Sequence, residues 1–164
     1  MADWGKANSD DLGNGWRTLK DEEWKYLFNQ KDYKNPIRDG KYKCNVTVCG
    51  KEHCVVVAPD DWDVTAYPLQ PEYGPESTPM TWNEAQDAGL ICLPAAGWRN
   101  NVNPANWNVG SYGRYWSSSR YTIGSTPFTS ACSLQFSPSG IYSSSNPSNR
   151  RCVGLSVRLV KDAN

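Results

Sequence analysis

The chain has 164 residues, a length that favours one domain with an apolar core of its own. Its 17 basic and 17 acidic side chains cancel, so no overall positive field attracts it to nucleic acid or to an anionic membrane surface. No apolar run is long enough to span a bilayer, and the first residues lack the pattern of a signal peptide. We therefore expect a single soluble domain over 1–164, without direct insertion into a membrane.

The first part of the chain predicts a helix followed by a pair of strands. Thr18, three residues before Asp21, forms an Asp-bearing variant of the capping box, and the apolar residues that follow keep helical spacing. We place this helix at about 20–29. The β-rich runs 42–49 and 54–58 then flank a polar turn, which is the pattern of a hairpin.

A second helix and a buried strand are predicted next. Thr81 and Glu84 form another capping box, and Gly89 stands where a glycine commonly ends a helix. These signals predict a helix near 82–88. The short apolar run 90–93 then predicts a buried strand.

The sequence offers little support for a catalytic or metal site. Cys44, Cys49 and Cys54 are separated by four residues each, and no complete zinc-knuckle pattern is found around them. His53 is the only histidine, no nucleophile–base pair is evident, and the carboxylates of 59–63 fit a solvated turn. We expect no enzyme activity, no metal and no cofactor. Whether any of the six cysteines are bridged is left open by their number and spacing.

Residues 93–160 use a different set of side chains from the rest of the chain. They contain no Lys, Asp, Glu, His or Met, and they are rich in Ser, Asn, Gly, Tyr, Trp and Arg. Alternating apolar and polar residues at 115–118, 131–136 and 155–160 predict half-buried strands, so we expect this region to be ordered. The side chains expected to face inward are Leu134, Phe136, Val157 and Leu159, and those expected to face outward are Ser133, Gln135 and Arg158.

This composition is typical of a ligand-binding surface. Tyr and Trp supply rigid contact area, whereas Ser, Gly and Asn supply adaptable hydrogen bonds. The alternative is an ordinary β-rich domain whose aromatic side chains turn inward. Arginines interleaved with aromatic residues can also stack nucleic-acid bases, but the region has no Lys and no recognisable nucleic-acid module. We therefore expect an unknown protein or glycan ligand rather than nucleic acid.

Several motifs along the chain carry a family resemblance. The motifs 93–99 (Leu-Pro-Ala-Ala-Gly-Trp-Arg), 109–119 and 154–160 resemble the variable proteins of diversity-generating retroelements, in the type common to gut bacteria and their phages. Upstream segments are similar to the related paralogous domain, namely 3–5, 15–19, 23–29 and 58–62. The resemblance thus touches nearly the whole chain.

The resemblance implies an α+β protein with a C-type-lectin-like fold, in which two helices pack on small antiparallel sheets with long loops. This fold is shared with formylglycine-generating enzymes and usually lacks calcium and the lectin disulfides. Residues 1–89 would form a scaffold, and 90–160 the variable, ligand-binding part. Display on a cell surface or virion, for receptor or cell-surface attachment, is expected from the family, and an oligomer is compatible with it.

The resemblance also implies which residues bind the ligand. In such proteins, adenine-directed mutagenesis changes AAY codons for Asn, which permits many side chains but not Lys, Glu, Gln, Met or Trp. Aligned by motif, the variable positions are Asn108, Tyr112, Arg114, Arg120, Tyr121, Ile123, Cys132, Ser133, Ser137, Tyr142, Cys152 and Val153. Trp107 and Gln135 fall outside the permitted set and are candidates for fixed contacts.

Two alternatives stay open beside this hypothesis. One is a structural or carbohydrate-binding domain of a surface or phage tail protein that is not diversified. The other is an oxidase of the formylglycine-generating type, whose reactive cysteines would be Cys132 and Cys152, although the motif context of that enzyme is not found around them.

Overall fold

The computed structural model describes residues 15–28, 54–57, 59, 82–100, 103–121, 130–137, 140–144 and 153–162. Within these ranges the chain forms two short helices and nine strands, so it is a mixed α+β protein made mostly of strands. Neither helix has the length or the apolar character needed to cross a membrane. The run 42–49, predicted as a strand, lies outside the described residues.

The strands form small antiparallel sheets. The helices are α1 (Asp21–Leu27) and α2 (Trp82–Asp87). The strands are β1 (Trp16–Thr18), β2 (Cys54–Val57), β3 (Ile91–Pro94), β4 (Trp98–Asn100), β5 (Asn103–Trp107), β6 (Gly113–Tyr121), β7 (Ser130–Ser137), β8 (Gly140–Ser144) and β9 (Leu159–Lys161). β1 pairs with β9, β2 with β3 and β4 with β5, while β6, β7 and β8 form one three-stranded sheet.

Helix α1 lies where the sequence predicts it, but its cap differs from the prediction. Thr18 is the last residue of β1, where it pairs with Leu159, and the N-cap of the helix is Lys20. The backbone N–H of Lys20 donates to Glu23 Oε2 at 2.7 Å, which satisfies a donor that the helix itself leaves unpaired. The prediction of a Thr18–Asp21 box was therefore wrong, because the strand pairing holds Thr18 away from the helix start.

Helix α2 ends as predicted. Gly89 has a φ of +73°, a conformation that glycine adopts without a steric penalty, and its N–H donates to the carbonyl of Gln86 at 2.9 Å. Thr81, the expected cap, lies outside the described residues. The following strand β3 pairs with β2 (Cys54–Val57), and β2 lies where the sequence predicts a strand at 54–58.

The core lies where α1 packs on the sheet β6–β7–β8. Trp24 of this helix and Phe28 directly after it are buried, and the Trp24 ring lies 6.3 Å from that of Tyr115 on β6. Tyr115 in turn stacks on Phe136 of β7 at 6.2 Å, and its hydroxyl donates to the carbonyl of Pro94 at 2.8 Å. This hydrogen bond ties the three-stranded sheet to β3.

An irregularity in β6 joins the sheet to the start of α1. The register between β6 and β7 shifts between Trp116 and Arg120. The Ser118 N–H donates to the carbonyl of Leu19 at 2.9 Å, and the Ser119 hydroxyl accepts from the Asp21 N–H at 2.9 Å. Bulges of this kind re-aim side chains, and here they supply partners to the loop before the helix.

The alternation predicted for β7 is only half right. Leu134 and Phe136 are 0% exposed, as an inward face requires, but Ser133 is also 0% exposed although it was expected to face outward. β7 is the central strand of its sheet, with a neighbour on each edge, and Gln135 is half-buried. The run 155–160 forms a regular strand only at β9, and there Leu159 is partly buried rather than part of the core.

Candidate ligand-binding site

The turn between β5 and β6 presents the first of the predicted contact residues. The exposed Asn108 has a φ of 54°, and its carbonyl accepts from the Ser111 N–H at 3.1 Å and from the Tyr112 N–H at 3.0 Å. The Gly110 N–H donates to the carbonyl of Ala95 at 2.7 Å, which anchors the turn to the segment after β3. Asn tolerates this left-handed conformation better than most residues, so the backbone restricts which side chains position 108 accepts.

Three side chains form a cluster beside this turn, which we name the Trp98 cluster: Trp98, Tyr112 and Arg114. The rings of Trp98 and Tyr112 meet edge to face, with centroids 5.7 Å apart at an angle of 75°. The guanidinium carbon of Arg114 lies over the Trp98 ring, 4.0 Å from its centroid. Each of these contacts is of a kind that stabilises by about 1 kcal/mol.

Backbone hydrogen bonds hold the cluster in place. The Gly97 N–H donates to the carbonyl of Tyr112 at 2.7 Å, which brings β4 beside the start of β6. The carbonyl of Arg114 accepts from the Ser156 N–H at 3.0 Å, and Ser156 accepts from the Trp116 N–H at 2.9 Å. The positions of the three side chains are thus determined by backbone groups.

Arg114 is a cation with unused hydrogen-bonding capacity. Its side chain is half-buried, and Nε is buried with no hydrogen-bond partner. Among the described residues no carboxylate forms an ion pair with it, in contrast to Arg17, which pairs with Glu23 and Asp162. Burial lowers the pKa of the Arg114 guanidinium, and the nearby Tyr112 opposes that change, but arginine remains protonated in proteins. Leaving such a donor unpaired costs about 1–3 kcal/mol.

The register of the three-stranded sheet aligns other predicted contacts with the cluster. Arg114 pairs with Gln135 on β7, and Gln135 pairs with Tyr142 on β8. Three of the predicted contact residues therefore form one row across the sheet. The side chains of Tyr142 and of Trp107 on β5 lie outside the described part of the structure.

The remaining predicted positions are not all brought together. Arg120 is exposed and Tyr121 half-buried, and both lie at the far end of β6, where they pair with Ala131 and Ser130. Val153 is half-buried, directly before Gly154, whose backbone bonds to Arg99. Ile123 and Cys152 lie outside the described residues.

Three predicted contact residues on β7 are buried: Cys132, Ser133 and Ser137. Burial leaves these side chains almost no surface to offer a ligand in this conformation. The Cys132 thiol is free and donates to the carbonyl of Arg120 at 3.8 Å. Burial, with a further contribution from the charge of Asp21, raises its pKa to about 11, so the reactive thiolate is scarce at neutral pH. No cluster of metal-ligating side chains occurs in the described ranges.

Trp98 is the side chain of the candidate site that sequence reasoning missed. It was noted only as part of the motif 93–99, yet its ring contacts both Tyr112 and Arg114. A large aromatic residue directly after Gly97, whose φ is +67°, was the available signal, since a glycine turn often precedes an abrupt change of chain direction. The contact itself depends on β4 lying beside β6, which no local pattern predicts.

The fold and this surface cluster define a small α+β protein with a candidate binding surface at the start of its three-stranded sheet. Residues 77–160 match the family described as Domain of unknown function (DUF8237). The match covers more than half of the chain and includes the Trp98 cluster, and the protein belongs to this family. The chain matches no curated protein and no solved structure.

Proposed function

We propose that this protein is a ligand-binding module of the C-type-lectin-like type, whose residues 90–160 display a surface diversified by a retroelement. Its role would be attachment to a receptor or cell surface. The observation that carries the proposal is the Trp98 cluster, in which Tyr112 and Arg114, both predicted as variable, contact one aromatic ring. The described small antiparallel sheets and short helices are compatible with this fold.

A diversified surface needs positions where side chains change without loss of the backbone structure. Tyr112 and Arg114 meet this requirement, because their hydrogen bonds to Gly97, Asn108 and Ser156 use only backbone groups. Every residue except proline supplies the same N–H and carbonyl groups. Replacement of either side chain therefore leaves these connections available, and this supports the division into scaffold and display.

The amino-acid composition of 93–160 supports the same proposal. This region contains no Lys, Glu or Met, and mutation of AAY codons cannot produce these residues. It does contain Tyr, Ser, Asn and Arg, which are suited to the recognition of varied ligands. An ordinary structural domain has no comparable reason to exclude Lys, Glu and Met. Trp98 lies outside the permitted set, so it would serve as a fixed platform beneath the changing side chains.

Deep sequencing of the 3′ part of this gene across a population of its host tests the proposal. We expect changes clustered at Asn108, Tyr112 and Arg114 that match adenines in a nearby template copy. Codons for Leu134 and Phe136, which are fully buried, serve as the internal control and should not vary. A uniform gene with no template copy would overturn diversification and favour a domain with a fixed ligand or a structural role.

A further inference from the structure

We propose that the Trp98 cluster binds a carboxylate of a protein ligand, an Asp or Glu side chain, through the guanidinium of Arg114. The inference rests on the proposed ligand-binding function and adds the chemical class of the group recognised. It depends on the electrostatics of Arg114, on the geometry of its contact with Trp98, and on the character of the neighbouring surface.

The first argument is the unbalanced charge. Arg114 is half-buried, its Nε has no hydrogen-bond partner, and the described residues provide it with no carboxylate. The partial loss of hydration is also why burial lowers its pKa. A partly dehydrated guanidinium without a carboxylate partner is stabilised most by an external group that is negatively charged and accepts hydrogen bonds.

The second argument is geometric. The Trp98 ring lies 4.0 Å from the guanidinium carbon and covers one face of the group. The hydrogen-bond donors of arginine point outward in the plane of the guanidinium, so stacking on a ring does not use them. Because Nε is buried, the pair of donors that remains for a ligand is that of Nη1 and Nη2. A carboxylate matches that pair with its two oxygens.

The same chain shows what such a pair looks like when both partners are present. Arg17 Nη1 and Nη2 donate to the two carboxylate oxygens of Glu23, each at 2.7 Å. Arg114 has no equivalent partner among the described residues, and no acidic residue occurs in 93–160. We propose that a carboxylate of the ligand takes this place.

The third argument favours a protein over an acidic sugar. The exposed Val109 lies in the turn that carries Tyr112, and it offers an apolar surface of which 46% is exposed. Trp, Tyr and Arg surrounded by apolar contacts are the composition of protein interface hot spots. The hydroxyl groups of a sugar would find few polar partners over a valine side chain.

Nuclear magnetic resonance titration of the full chain tests the proposal. The probe is N-acetyl-glutamate N-methylamide, and the matched control is the neutral N-acetyl-glutamine N-methylamide, which has nearly the same shape. The signals to follow are the Arg114 Nε–H and the indole N–H of Trp98. We expect saturable shifts of both signals with the glutamate probe, and affinity at least about tenfold weaker, or none, with the glutamine probe.

Two variants test whether Arg114 itself is responsible. R114Q should abolish the shift of the Trp98 signal, and R114K should weaken binding by about tenfold because a lysine keeps the charge but not the forked donors. R158Q is the matched control, since it removes one positive charge from the same region outside the cluster, and it should bind as the parent protein does. Binding retained by R114Q would overturn the proposal.

The comparison of the two probes on the parent protein does not depend on the folding of any variant. Equal shifts with glutamate and glutamine, or no shifts with either, would overturn the proposal. Shifts with glucuronate but not with the glutamate probe would also overturn it, because they would assign the site to an acidic sugar. If the titration fails but the gene varies at the predicted codons, the proposal of a carboxylate site is overturned and the proposal of diversification stands. If the gene is uniform but the glutamate probe binds, the proposal of diversification is overturned and the carboxylate site stands.

Discussion

Arg17 and Glu23 form an ion pair with two parallel hydrogen bonds, Nη1 to Oε2 and Nη2 to Oε1, both of 2.7 Å. The same guanidinium donates to Asp162 through Nη2 at 2.7 Å and through Nε at 3.1 Å. Arg17 lies in β1, Glu23 in the first turn of α1, and Asp162 directly after β9. One side chain therefore connects three segments of the chain.

Replacement of Arg17 by methionine should lower the free energy of unfolding by about 1 kcal/mol, because forked pairs are stronger than single surface pairs but solvent still screens this one. Urea denaturation of the two proteins measures the difference. K161M removes an exposed cation on the neighbouring strand and should change stability little. An equal loss in K161M would mean that net charge, and not the pair, is responsible.

The pair also predicts how stability depends on pH. The hydrogen bonds from Arg17 hold the pKa of Glu23 below its ordinary value of 4.5. The unfolded chain therefore takes up the proton first as the pH falls through about 4.5, and the stabilisation by this carboxylate is present above that pH and is lost progressively below it. In E23Q the loss of stability between pH 6 and pH 3 should be smaller than in the parent protein, as measured by thermal unfolding. An unchanged pH dependence would contradict the assignment to Glu23.

Gly113 should tolerate no side chain. A Cβ atom at this position would overlap the ring of Phe136, which is fully buried and unable to move away. Overpacking of this kind typically costs about 1–3 kcal/mol, and we expect G113A to lie at or above the upper end of that range.

The matched control for this prediction is G110A. Apart from Gly110 itself and its chain neighbours, no atom of the described residues lies within 4 Å of a Cβ built on Gly110, although its φ of +84° disfavours alanine. We expect a loss of about 1 kcal/mol there, from the backbone conformation alone. Equal losses in the two variants, measured by chemical denaturation, would show that the contact with Phe136 does not dominate.

The Cys132 thiol should be unreactive in the folded protein. Its pKa of about 11 compares with an ordinary value of 9.0, so at pH 8 the thiolate is roughly one hundred times scarcer than in an exposed cysteine. Comparison of iodoacetamide labelling of the parent protein and C132S, by mass spectrometry of the peptide containing residue 132, measures its reactivity. Labelling should require denaturant. Rapid labelling of the native protein would revive the oxidase alternative.

Replacement of Tyr112 by alanine should separate binding from stability. The rings of Tyr112 and Trp98 meet edge to face, and such a contact stabilises by about 1 kcal/mol, so its removal should cost about that much and leave a cooperative unfolding transition. Ligand binding should fall more strongly, in keeping with a residue of an interface hot spot. Loss of cooperative melting in Y112A would contradict the division between scaffold and display.

Sequence patterns predicted the helices and strands that are determined by residues close together in the chain. The position of α1, the end of α2 at Gly89 and the long strands β6 and β7 all follow from spacing, capping and alternation. The short strands β1, β4, β5 and β8 were missed, because a strand of three to five residues is defined by its partner more than by its own sequence. Ser133 was placed outward for a related reason, since alternation cannot show that both faces of a central strand are covered.

For the candidate site, the family resemblance directed attention to Tyr112 and Arg114, and the structure brings their side chains onto Trp98. The contact of Trp98 with these two side chains could not be predicted from the sequence. It depends on the hydrogen bond by which Gly97, before β4, joins Tyr112, before β6. The burial of Cys132 and Ser137 was likewise hidden, since motif alignment reports sequence position and not depth.

The pairing of β1 with β9 has a consequence for synthesis of the protein on the ribosome. The residues joined by the Arg17–Asp162 hydrogen bond are separated by 145 positions in the chain. Strand β1 thus emerges early and stays without its partner until nearly all the described segments have been translated. Contacts over such a separation slow folding, because a long loop must close before they form. Residues 90–158 are therefore translated before the pairing of β1 with β9 can form.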